Sequence, residues 1–178
     1  VIAFYRRSEL GRFLDASLRP GDVFIDAGAN LGMYSLLARR TGAETILFEP
    51  EPRHAAFLLR NAQSFGTVLP VALSDHAGSS PMFVHDDTNS GSHSLLPGSG
   101  GGREVVVEMR TLAQAVATSG IDPARLRLIK IDVEGSEAAV VLGMMPLLAD
   151  GACPTVWCEV RGSGSERAPD SFLSVSRT

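Results

Sequence analysis

The sequence predicts an α/β fold with a mainly parallel sheet, and two observations carry that expectation. Four short apolar runs suit strands buried on both faces: Val23-Phe24-Ile25, Thr45-Ile46-Leu47-Phe48, Leu126 to Ile131 and Thr155 to Val160. They alternate with stretches of helical periodicity. A glycine-bearing turn, Gly28 to Gly32, follows the first run and opens a helix, as in Rossmann-like sheets.

Each element has its own local reason. Leu10, Phe13, Leu14 and Leu18 share one face of an amphipathic helix over 6–18, which the Pro20-Gly21 turn ends. After the first strand and the turn, a helix runs from Met33 to Arg40 and Gly42 closes it. Pro52 stands where a first helical residue would and opens a helix over 52–64. Val68 to Leu73 is the expected third strand. Pro81 to His85 and Glu104 to Arg110 predict a β-hairpin inserted between crossover units. Its tip, Asp86 to Arg103, is rich in Ser, Gly, Asn and Asp. Thr111 caps a helix that Gly120 ends. A helix over Glu134 to Leu148 should be kinked or split at Gly143 and Pro146. Past Gly162 the residues are polar and irregular, and too few for the two strands that usually close such a sheet. The C-terminus therefore reads as truncated or divergent. The expectation is a single domain over 1–178: an N-terminal helix in 1–19, a core over 20–162 and an irregular tail over 163–178.

Composition narrows the function classes. The chain has 178 residues, a net charge of -4 and a single Lys, Lys130, which argues against a nucleic-acid partner. No apolar run is long enough to span a membrane, and charges at Arg6, Arg7, Glu9 and Arg12 argue against a signal peptide. Cys153 and Cys158, without a second Cys or His cluster, read as small thiols in a reduced, cytoplasmic setting rather than as a metal or redox pair.

Three segments carry chemistry. In Asp26-Ala27-Gly28-Ala29-Asn30-Leu31-Gly32, a glycine at position 28 would let the backbone approach a ligand. A dinucleotide site wants G-x-G-x-x-G and bare N–H groups facing a pyrophosphate. Here the spacing is G-x-x-x-G, and Asp26 would repel a pyrophosphate. It suits a cationic ligand end, such as the amino group and sulfonium of S-adenosylmethionine. The bland alternative is that Asp26 and Asn30 only cap the turn. Glu49, at the end of the next strand, is placed to accept ribose hydroxyls. In Lys130-Ile131-Asp132-Val133-Glu134, strand alternation puts Lys130 and Asp132 on one face. A Lys in a central strand is costly unless paired. These residues read either as a structural ion pair or as part of an active site at the strand's carboxyl end. Glu137 reads as an acid favoured by a helix N-terminus. His85-Asp86-Asp87 lacks a convergent third element, so no metal is expected, and Pro97 to Gly102 lacks the Lys-Ser/Thr of a phosphate loop.

Together these segments resemble the FkbM-type methyltransferase family, whose pattern is D-x-G-A-N-x-G, F-E-P, A-L-S-D and K-I-D-V-E-G-x-E. This chain shows Asp26 to Gly32, Phe48-Glu49-Pro50, Ala72-Leu73-Ser74-Asp75 and Lys130 to Glu137, in that order. The resemblance implies a Rossmann-like class I methyltransferase fold and methyl transfer from S-adenosylmethionine to a hydroxyl of a small molecule or sugar. By that resemblance Asp26, Gly28 and Asn30 line the methionine end of the cofactor, Glu49 holds the ribose, and Ser74 and Asp75 lie near the adenine. For the last two a local turn before Gly78 is nearly as good a reading. An alcohol acceptor calls for a general base. Asp132 comes first by position, then Glu134 and His93, with Lys130 beside them. His93 in the hairpin tip reads more readily as an exposed loop histidine. The alternatives are an NAD-dependent oxidoreductase and a catalytically silent cofactor-binding module.

Overall fold

The computed structural model describes residues 2–84, 103–152 and 154–159, and the backbone of 172–174. A six-stranded sheet has the order β3-β2-β1-β7-β8-β9. Its strands are β1 (Val23–Ala27), β2 (Glu44–Phe48), β3 (Thr67–Leu69), β7 (Leu126–Ile131), β8 (Thr155–Cys158) and β9 (Phe172–Ser174). All neighbours are parallel except β9, which runs antiparallel to β8. Strand order reverses at β1, whose neighbours are β2 on one side and β7 on the other. In open α/β sheets, ligands bind outside the carboxyl ends of the strands at such a point.

Helices cover both faces. Alternation in β1, β7 and β8 sends Ile25, Ile129 and Val156 into a core with Leu112, Val116, Val140 and Met144 of α6 (Leu112–Ser119) and α7 (Glu137–Ala149). Phe24, Leu128 and Trp157 face the other way, onto Leu10 and Leu14 of α2 (Glu9–Ser17) and Leu37 of α3 (Met33–Arg40). A third cluster packs α4 (Pro52–Arg60) and α5 (Ala62–Phe65) beside β2 through Leu47, Leu58 and Phe65. Each fully buried Leu, Ile or Phe contributes about 1.5–3 kcal/mol. These faces, rather than the loops, therefore hold the strand ends in place.

Several expectations are corrected. The helix expected over 6–18 is two helices, α1 (Ile2–Arg7) and α2, divided at Ser8. Ser8 is extended and its hydroxyl accepts the Gly11 N–H at 3.1 Å, so it caps α2. The helix expected over 52–64 likewise divides at Asn61. The third strand is shared between two sheets. β3 stays in the main sheet, while β4 (Ala72–Leu73) pairs with β6 (Arg103–Arg110). Pro70 lies between them and brings no N–H to a ladder. β5 (Gly78–Val84) and β6 form the expected antiparallel hairpin, but with β4 they make a separate three-stranded sheet. The hairpin tip falls outside the described residues.

The helix expected from Glu134 starts only at Glu137, because Glu134 (φ 57°) and Gly135 (φ 106°) have left-handed backbones that no helix accommodates. It is not split at Gly143 or Pro146 but runs through to Ala149. Gly143 serves close packing instead. A Cβ there would sit 2.1 Å from the Ser74 carbonyl oxygen. In the tail, expected to be irregular, residues 172–174 add the antiparallel edge strand. Thr111 with Gln114 forms a full capping box on α6, and Gly120 ends it in the left-handed region, as expected.

Candidate functional site at the strand carboxyl ends

Asp26, Lys130 and Trp157 stand side by side across β1, β7 and β8 on the α2–α3 face. Asp26 is 1% exposed and Lys130 4%. The Lys130 Nζ donates to Asp26 Oδ1 at 3.1 Å and to the Gly28 carbonyl at 2.9 Å, and lies 3.5 Å from Asp132 Oδ2. An ammonium has three protons, and three protein oxygens surround this one. The Tyr34 ring lies 5.8 Å from it. Burial works against the charge, but Asp26 and Asp132 outweigh it and hold the Lys130 ammonium above the ordinary lysine range. Lys130 is therefore a fixed cation at neutral pH, not a proton acceptor. Asp26 Oδ2 accepts the hydroxyl of Ser35, a fully buried residue on α3, at 2.8 Å. Both Asp26 oxygens are thus engaged within the protein.

The turn after β1 is built mainly from internal bonds. Gly28 and Ala29 donate their N–H groups to the Phe48 carbonyl, and Gly32 donates to that of Ala29. The Asn30 N–H donates to Glu49 Oε2 at 2.6 Å. Gly28 has φ 76°, and a Cβ on it would lie 1.9 Å from the Asp132 carbonyl oxygen. A protein neighbour that demands glycine here is the Asp132 backbone just past β7. Only Asn30 (φ 51°) and Glu134 among the described non-glycine residues have positive φ. Each sits in a turn directly after a central strand. Such outliers cluster at ligand-binding turns.

Glu49 follows β2 and is 5% exposed. Besides the Asn30 bond, its Oε1 accepts the Glu51 N–H at 2.9 Å. Burial pushes its carboxyl up to about 7, against those two bonds and the Lys130 charge, which favour ionisation. Glu51 is also buried and caps α4 through the His54 N–H at 2.7 Å. Burial works against its charge too, yet backbone bonds from His54 and Arg53 hold its carboxyl below the usual range.

Asp132 follows β7 with its side chain 32% exposed and its N–H bonded to the Ala27 carbonyl at 3.1 Å. Glu134 occupies the next turn, and Glu137 accepts the Gly135 N–H at 2.9 Å at the start of α7. Cys158 ends β8 nearby. Burial, with the charges of Glu137, Asp132 and Glu159, pushes its thiol up to about 11, so it stays protonated. Ser74 and Asp75 follow β4, against Gly143 of α7. The Ser74 N–H bonds to the Arg110 carbonyl, and its hydroxyl donates to Asp75 Oδ1 at 3.2 Å. His76 Nδ1 lies 2.6 Å from the same oxygen and holds the exposed Asp75 carboxyl low.

The structure thus brings Asp26, Gly28, Asn30, Glu49, Lys130 and Asp132 into one connected set, while Ser74 and Asp75 meet Arg110, His76 and Gly143 rather than members of that set. His93, the His85-Asp86-Asp87 run, Pro97 to Gly102 and Cys153 lie outside the described residues. Sequence reasoning missed Ser35 and Tyr34. The available signal was their place in the first turn of α3, which points back at the strand ends. Among the described residues, no three His, Cys, Asp or Glu side chains could jointly hold a metal ion. Nor is any helix among them long and apolar enough to cross a membrane.

The sheet order, the turn at the switch point and the acid after β2 define the class: a Rossmann-like α/β methyltransferase fold. Residues 26–175 match the Methyltransferase FkbM domain, and the chain belongs to that family. It is 34% identical over 160 residues to 31-O-demethyl-FK506 methyltransferase FkbM of Streptomyces tacrolimicus, a match covering 71% of this chain and 61% of that protein. It is 28% identical over 165 residues to Methyltransferase sdnD of Sordaria araneosa, covering 72% and 62%. The chain spans about three fifths of the length of these curated relatives.

Proposed function

We propose that the protein transfers the methyl group of S-adenosylmethionine to a hydroxyl oxygen of a small molecule or sugar. The observation that carries this reading is Glu49, a buried carboxylate fixed by two backbone N–H bonds beside the turn. A carboxylate offers about four acceptor positions. Two are filled, and the rest suit the two hydroxyls of a ribose. Gly28 and Asn30 would line the methionine end with Asp26 beneath them, and Ser74 and Asp75 the adenine end. The surrounding charge fits a cationic ligand, since Asp26 and Asp132 outnumber Lys130. A pyrophosphate fits poorly, because the N–H groups of Gly28, Ala29, Asn30 and Gly32 are already donated within the protein. This weighs against the NAD-dependent alternative. Hydroxyl transfer draws support from the Streptomyces relative, whose name specifies an O-linked position.

When bound, S-adenosylmethionine supplies a methyl group on a sulfonium, a leaving group that needs no covalent enzyme intermediate. Asp132, the partly exposed carboxylate of the set, would take the acceptor's hydroxyl proton. Glu134, in the next turn, is the second candidate base. The rest of the acceleration comes from holding oxygen and methyl carbon in line.

Calorimetry with S-adenosylhomocysteine, with NAD as control, tests the cofactor. Saturable binding is expected, weakened about tenfold or more by Glu49→Gln, as for loss of a hydrogen bond to a charged group. Saturable NAD binding without the sulfur ligand would overturn the reading. Turnover on a panel of hydroxylated acceptors then separates an enzyme from a silent binding module.

A further inference from the structure

Lys130 touches three separate parts of the candidate site at once. It bonds Asp26 on β1, the Gly28 carbonyl inside the turn, and faces Asp132 at 3.5 Å beyond β7. A salt bridge that served only to neutralise a buried charge would need Asp26 alone. The bond to the Gly28 carbonyl fixes the turn itself. The Asp132 carbonyl packs where a Gly28 Cβ would be, so the turn and the Asp132 backbone are in contact as well. Ser35 holds the far oxygen of Asp26, and the Tyr34 ring lies beside the ammonium, so α3 braces the cluster.

We propose that Lys130 is a positioning residue that holds the cofactor turn and the Asp132 carboxylate in one frame. It meets neither methyl nor acceptor. It sets the spacing between the place where the methyl is presented and the group that takes the proton. Displacements near 1 Å between such groups cost about a hundredfold in rate, so a rigid link has catalytic value. The inference rests on the methyltransferase reading for its meaning, but its test does not need a bound cofactor.

Hydrogen–deuterium exchange on the whole chain compares wild type, Lys130→Met, and the double variant Asp26→Leu, Lys130→Met. Lys130→Met leaves Asp26 buried without its cation and should lower the melting temperature. The double variant removes both charges, so its stability should recover towards wild type. If Lys130 positions the site, segments 26–32 and 131–135 exchange about tenfold or more faster in both variants, while α6 keeps its protection in the double variant. Recovery of native exchange in both segments along with stability would overturn the proposal, because the pair would then be merely structural. So would unchanged exchange over 131–135 in Lys130→Met. A parallel arm adds S-adenosylhomocysteine to wild type. Failure to bind there counts against the cofactor reading alone, and the exchange result still judges Lys130.

Discussion

Two ion pairs tie β7 to the β1–β2 unit, one at each end of the sheet. At the amino end Arg125 reaches Glu44, which opens β2, at 3.0 Å, and the Gly21 carbonyl just before β1 at 2.8 Å. At the carboxyl end Lys130 reaches Asp26 at 3.1 Å. The lengths are nearly equal, although Lys130 and Asp26 stand on neighbouring strands whereas Arg125 reaches past β1 to β2. The difference is water. The Arg125 and Glu44 side chains are each 42% exposed, whereas Lys130 and Asp26 are almost wholly buried. An exposed pair contributes about 0–1 kcal/mol. A buried pair carries a desolvation cost of several kcal/mol per ion that its attraction barely offsets, and apolar residues of like volume often serve stability as well or better. Stability alone therefore accounts for neither charge at the carboxyl end. The charged row stands only where β1 and β7 meet the turn. On the opposite face the matching row is Ile25, Ile129 and Val156.

Breaking the buried pair from one side gives the largest expected effect. Asp26→Leu strands the Lys130 ammonium with only Asp132 and one carbonyl. It should destabilise the fold by about 3–5 kcal/mol, read from urea unfolding midpoints. A loss below about 1 kcal/mol would put this pair in the same class as the exposed one and remove the contrast.

Glu49 sharpens the comparison through pH. Its carboxyl is raised from 4.5 to about 7 in the fold. Between those values the folded chain keeps a proton that the unfolded chain has released. Stability therefore falls as pH rises through that window, by about 3 kcal/mol in total. Glu49→Gln should lack this slope. Unfolding midpoints at pH 5 and pH 8 for both proteins measure it, and parallel profiles would mean that Glu49 is solvated. Under the proposed ribose contact, hydroxyls would donate to the ionised form, and S-adenosylhomocysteine is then expected to bind more tightly above pH 7 than at pH 5.

Legibility in the sequence followed the range of the forces involved. The turn from Gly28 to Gly32, the Thr111 cap and the Gly120 stop are local, and each was readable from two or three residues. Strand alternation likewise puts Lys130 and Asp132 on one face. What alternation leaves open is which neighbour lies opposite. The bonds of Lys130 to Asp26 and the Gly28 carbonyl span about a hundred residues and depend on β7 pairing beside β1. Ser35 and Tyr34 were missed for the same reason, since their roles come from how α3 packs on that row. Local signals also misled where packing prevailed. Gly143 and Pro146 suggested a kinked or split helix, yet α7 runs through to Ala149, and Gly143 serves close packing against the Ser74 backbone. The Ser8 break had no apolar signal, because the stripe of Leu10, Phe13, Leu14 and Leu18 lies wholly beyond it.

The smallest effect belongs to Arg125→Ala. The guanidinium makes two bonds, to the Glu44 carboxylate and the Gly21 carbonyl, in a setting where water replaces both. Its loss also frees a long side chain from one geometry, which returns entropy. The expected change in unfolding free energy is under about 1 kcal/mol and shrinks further in high salt, because exposed charges are screened. No change is expected in S-adenosylhomocysteine affinity, since the pair lies at the opposite end of the strands from the turn. A cost of about 3 kcal/mol or more, insensitive to salt, would mean that burial does not separate the two pairs. The charged row at the carboxyl end would then need an explanation other than the site it frames.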